Sequence, residues 1–91
     1  MSGLISIKFI TVFKIFAHPI RLNIIRMLYP RPLSVNELSR KLHKKQSNIS
    51  QHLQVLKNHN FVSNKRVGRM RMYKLDDSIQ SLAEHLMKFK S

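Results

Sequence analysis

The sequence predicts a mainly α, α+β domain in which two short helices joined by a tight turn precede a two-stranded β-hairpin, with a helix at either end. Three observations carry this expectation. Ser34-Val35-Asn36-Glu37 has the form of a capping box and opens two consecutive amphipathic stretches within 34–58. The apolar period then changes from helical to alternating between Phe61 and Leu75, with Gly68 between the two halves. Apolar residues at helical spacing lie before and after this block.

The 91 residues suit one domain, 1–91, near the small end of what folds unaided. With no cysteine, disulfides, thiolate metal sites and a catalytic thiol are excluded. Seventeen Lys+Arg against four Asp+Glu give a net charge of +13, which favours a polyanionic partner. Because 43% of the residues are apolar, this is not the composition of a disordered basic tail.

Residues 1–17 are apolar on most sides, with Leu4, Ile7, Ile10 and Phe13 among them. Lys8 and Lys14 interrupt the run, which is too short to span a bilayer, and no small-residue cleavage site follows. A helix buried on more than one face is expected instead. His18-Pro19 opens the next helix, where proline costs no hydrogen bond. Ile20, Ile24 and Leu28 form its inner stripe, and Pro30-Arg31-Pro32 ends it.

Ser34 should cap a two-turn helix whose stripe is Val35, Leu38 and Leu42. After His43-Lys44-Lys45, the residues Ile49, Leu53 and Leu56 mark a second helix. At 100° per residue, Ser47, Gln51, Gln54 and Asn58 fall on its outer face. Asn60 suits the left-handed residue that closes it. Over 61–75, Tyr73 and Leu75 share one strand face, while Lys65, Arg66, Arg69 and Arg71 crowd around the turn at Gly68. Met70 and Met72 are expected to pack. Asp76-Asp77 then suit the N-terminus of a last helix, with Ile79, Leu82, Leu86 and Phe89 as its stripe and Ala83 and Met87 beside it.

Taken together, the helix pair and cationic hairpin make a helix-turn-helix followed by a wing. At this point the chain resembles the ArsR/SmtB family of winged-helix repressors. The segment from Phe13 to Leu28, with its His18-Pro19-Ile20-Arg21, is similar to the family's opening signature. Ser47 to Leu56 is similar to its recognition helix, and Val62 to Leu75, with Arg66-Val67-Gly68-Arg69, to its wing. The resemblance implies a homodimeric, sequence-specific repressor on double-stranded DNA, in which helices within 1–17 and 76–91 pair with those of the second subunit. The interface would contain Leu4, Ile7, Ile10, Phe13, Ile79, Leu82, Leu86 and Phe89. Independently, two such apolar helices on one short chain call for a second subunit to cover them.

The chain departs from the family in its metal sites. Where many members carry Cys-x-Cys, it has Ser34-Val35-Asn36. Asp77-Ser78-Ile79 and His85-x-x-Lys88 do not reproduce the alternative Asp-x-His with His-x-x-Glu. The five histidines form no ligand set at helical spacing, so neither metal nor cofactor is expected, and the effector is left open. Lys45 stands where the family often places a capping serine or threonine. His52 is expected to be half-buried and hydrogen-bonded, and His85 to lie at or near the dimer interface.

Ser47, Asn48, Ser50, Gln51 and Gln54 carry the hydroxyls and amides that read base edges. Lys44, Lys45, Lys57, Lys65, Arg66, Arg69 and Arg71 would meet phosphates or the adjacent minor groove. A plain solvated face is the competing account of both sets. No constellation for catalysis is present: the four acids form no acid/base pair, and no serine sits in a nucleophile elbow. The expectation is a cytoplasmic, non-enzymatic regulator without membrane contact, most simply a repressor on an inverted repeat. A sequence-neutral architectural DNA-binding protein is the alternative, and a membrane-surface or protein-interaction module a more distant one.

Overall fold

Proline at the first helical position, a left-handed residue after each helix of the central pair and a glycine at the hairpin tip set where the chain turns. The computed structural model describes residues 7–88. Helix α1 spans Ile7–Phe16, α2 Pro19–Leu28, α3 Val35–Leu42, α4 Gln46–Asn58 and α5 Gln80–Met87. Strand β1 is Leu33–Ser34, β2 Val62–Val67 and β3 Met70–Leu75, and a 3₁₀ turn at Asp77–Ile79 leads into α5. The strands form one antiparallel sheet in the order β1-β3-β2.

His18 is extended (φ −96°, ψ 118°) and precedes Pro19, whose missing amide costs α2 nothing. At α3 the expected capping box is complete. The Ser34 hydroxyl accepts from the Glu37 amide at 3.2 Å, and the Glu37 carboxylate accepts from the Ser34 amide at 3.0 Å. His43 ends α3 in the left-handed region (φ 55°), and the Ser39 hydroxyl donates to the Lys44 carbonyl to fasten the turn. Asn60 is left-handed after α4 (φ 62°), as its sequence position suggested.

The core is Ile15 of α1, Ile24, Ile25 and Leu28 of α2, Leu33 of β1, Leu38 of α3, Ile49, Leu53 and Leu56 of α4, Val62, Leu75, Ile79 and Ala83. All the inward residues expected for α4 are there. One residue expected at the interface lies in this core: Ile79 is 6% exposed and turns inward together with Ala83, four residues on. Met70, expected to pack, is exposed, since it sits at the hairpin tip beyond the edge of the core. Leu4 and Phe89 lie outside the described residues, as do the side chains of Ile7 and Leu86. No helix among the described residues is long and apolar enough to cross a membrane.

Strand β1 was not legible in the sequence. Its two residues pair with β3, Leu33 opposite Tyr73 and Ser34 opposite Met72. The residue that caps α3 is therefore also registered opposite the central strand of the sheet.

Candidate nucleic-acid interface

Helix α4 presents two chemically different faces. Ile49, Leu53 and Leu56 are fully buried, whereas Ser47, Ser50, Gln51 and Gln54 are exposed and Asn48 is half-buried. The Gln54 amide donates to Asn58 Oδ1 at 2.8 Å, so this pair is already partly satisfied within the helix. Helix α4 starts one residue after Lys45, whose side chain makes no capping hydrogen bond. The first-turn amides are therefore free of side-chain competition and favour an anion.

The hairpin turns through Gly68 at φ +63°, a conformation that costs little only without a side chain. Its register places Arg66 opposite Arg71 and Val67 opposite Met70. Like charges directly across a ladder repel. Here the Arg71 guanidinium is drawn aside and donates to Asn64 Oδ1 at 2.8 Å.

Between the wing and the helix pair lies a cleft of about 300 Å³ lined by Ser34, Val35, Asn36, Gln46, Ser50, Arg69, Met70 and Arg71. It brings together three residues expected from the sequence: Ser50 of α4 with Arg69 and Arg71 of the wing. It adds Asn36 and Gln46, which sequence reasoning missed. Each is a short amide in the first turn of its helix, a signal that acquires meaning only once β1 draws the start of α3 against the wing. Lys44 and Lys45 are exposed beside the start of α4 and Lys57 is exposed in its last turn, roughly 18 Å away along the axis. Lys65 is exposed on β2. Among the described residues, the ion pair found is Arg31–Glu37 at 3.3 Å, away from these cations. The hydrogen bond from the Ser34 amide, with Arg31 beside it, holds the Glu37 carboxyl below its ordinary range.

Behind α4, His52 accepts a hydrogen bond at Nδ1 from Arg21 Nε at 3.2 Å. Its ring meets the edge of His18 with centroids 4.4 Å apart. Burial, then the neighbouring His18 and Arg21, push the His52 pKa down. The half-buried, hydrogen-bonded role expected for His52 is thus observed, while its contact with His18, 34 residues away in the chain, was not foreseen. His85 is exposed, with its Nδ1 3.0 Å from the Ser81 carbonyl. No group of three or more potential metal ligands occurs among the described residues.

A family model described as "Bacterial regulatory protein, arsR family" matches residues 18–64, from the start of α2 into β2. Among solved structures, the reduced form of HlyU from Vibrio cholerae is 33% identical, with a TM-score of 0.83 over 89% of this chain and 86% of that one. The transcriptional regulator HlyU from Vibrio vulnificus is 30% identical, with a TM-score of 0.84 over 92% of this chain and 88% of the other. The winged helix-turn-helix DNA-binding domain of Mb0332 from Mycobacterium bovis shares the fold at 21% identity, with a TM-score of 0.81 over 97% of this chain and 88% of that one. No curated relative matches by sequence.

Proposed function

The chain belongs to the arsR family of bacterial regulatory proteins and is a DNA-binding transcriptional regulator, and from that premise we propose that it works as a homodimeric, sequence-specific repressor on an inverted repeat. The family consists of DNA-binding regulators and not of enzymes. The observation that carries the finer reading is the cleft in which Gln46 and Ser50 of α4 face Arg69 and Arg71 of the wing. A DNA strand passing there presents base edges to the polar face of α4 on one side. On the other it presents phosphates and the minor groove to the arginines. Ser47, Asn48, Ser50, Gln51 and Gln54 supply the base contacts in this reading, and Lys44, Lys45, Lys57, Lys65, Arg66, Arg69 and Arg71 the backbone and wing contacts.

Dimerisation is supported by the apolar residues the subunit leaves outside its core. Ile10 and Phe13 of α1 and Leu82 of α5 are 42%, 60% and 37% exposed, on two helices that both pack against α2. The Mycobacterium bovis domain of the same fold is described as homodimeric. A two-fold pair places two α4 helices about 34 Å apart, in successive major grooves. On this reading residues 1–91 act as one winged domain, and the segments within 1–17 and 76–91 hold the dimer.

The test is fluorescence anisotropy with the DNA upstream of its own coding sequence against random duplexes, at one fixed salt concentration. Preference for a particular site is expected. Equal affinity for all duplexes would support the sequence-neutral architectural reading instead. Sedimentation of the Ile10→Asp/Leu82→Asp variant is expected to show a monomer.

A further inference from the structure

The hairpin tip carries two apolar side chains for which the subunit has no use. Val67 and Met70 face one another across β2 and β3 directly beside the turn, 48% and 49% exposed. Scattered exposed apolar residues are ordinary. This pair is not scattered, because it occupies the most projecting part of the sheet and is flanked by Arg66, Arg69 and Arg71. No carboxylate occurs between Lys41 and Lys74, so neither α4 nor the hairpin that carries the pair bears a negative charge. A second copy of a chain with net charge +13 is a poor occupant for such a tip. A polyanion that also offers an apolar surface is a good one. Met70 in addition lines the cleft shared with Gln46 and Ser50, which makes the tip continuous with the proposed DNA surface.

We infer that Val67 and Met70 enter the minor groove beside the site read by α4 and press on sugar walls and base edges there, while the flanking arginines hold the phosphates. The inference rests on the DNA-binding reading and deepens it: the wing contributes apolar contact as well as charge. Gly68 fits the same role. A Cβ there would meet no atom within 4 Å, so its value lies in the +63° turn that keeps the tip narrow. Apolar side chains used this way partly unstack a base step and bend the duplex towards the major groove.

The experiment uses the full chain and a duplex selected by it from a random pool. Val67→Thr/Met70→Gln replaces both side chains by polar ones of similar size and leaves the charge unchanged. Affinity for the selected duplex is expected to fall roughly tenfold. The dependence on salt should not change, and energy transfer between dyes on the duplex ends should report a smaller bend. The companion Val67→Ile/Met70→Leu, equally altered but apolar, is expected to bind as the parent does. Affinity within about twofold of the parent for the polar variant, or equal losses in both variants, overturns the inference while leaving DNA binding intact. Failure of the parent to bind any duplex overturns both.

Discussion

His52 shows how much one side chain can couple. It sits on α4 but faces inward, accepting from Arg21 of α2 and touching the ring of His18 at the start of that helix. Protonation would remove the acceptor and set a cation between Arg21 and His18. Accordingly its folded-state pKa lies below the ordinary value of 6.5, chiefly through burial. The sign follows from linkage. The unfolded chain takes up the proton first, so stability is full above about pH 6.5 and is lost as pH falls from there towards the lower folded value. Urea unfolding at a series of pH values is expected to show this loss, and His52→Gln, which keeps an acceptor but does not titrate, to flatten it. On the outer face of the same helix, Gln51→Ala is expected to cost about 1–3 kcal/mol at the specific site and almost nothing on random DNA, as a titration of both duplexes would show.

Among the elements, α3 depends most visibly on its first residue. Ser34 and Glu37 satisfy one another's backbone amides, and Ser34 is 4% exposed, so water cannot substitute for the lost hydroxyl. Ser34→Ala is expected to lower the unfolding free energy by about 1 kcal/mol in a denaturant titration. The capping box, the stripe of α4 and the turn at Gly68 were legible in the sequence because each is a local pattern with a local cause. Asn60 was legible for the same reason. His43 was not: it takes the same left-handed conformation, but histidine is not the glycine or asparagine that usually closes a helix, and the Ser39 and Lys44 contacts around the turn help to hold it there. Strand β1 was invisible because two residues have no period, and its partner lies some forty residues further on. Ile79 was grouped with Leu82, but it faces the core together with Ala83, four residues on, while Leu82 stays outside, and a single stripe drawn through the apolar residues did not separate the two faces. The cleft was only half legible. Its arginines stood out as charge around a glycine, whereas Asn36 and Gln46 join it only through the packing of the starts of α3 and α4 beside the wing.

At the scale of the whole molecule, one apolar surface lies on the terminal helices, and most of the charge lies on the helix pair and the wing. The helices α1 and α5 leave Ile10, Phe13 and Leu82 outside the core, while the helix pair and the wing carry the cations from Arg40 to Lys74. A dimer of two +13 chains would carry +26 and must hold together against that repulsion, which the apolar contact between subunits would offset. Affinity for any duplex should fall steeply with salt, by about 0.9 log units per log unit for each phosphate contacted. Arg69→Ala is expected to reduce that slope by about one contact per subunit and to weaken specific and random DNA alike, measured by anisotropy over a range of salt.

The joint between Ser34 and Met72 has a mechanical consequence. Because one residue both caps α3 and pairs with the central strand of the wing, a swing of the hairpin would have to disturb the start of α3 as well. If α4 and the wing tip contact DNA as proposed, they would act like the jaws of a gauge. Such a gauge would accept a duplex whose two grooves already lie at the right distance, or can be strained to it, and would reject one that is too stiff or too wide. Part of the discrimination among DNA sites would then be exercised on the spacing of the grooves, at base pairs that no side chain touches.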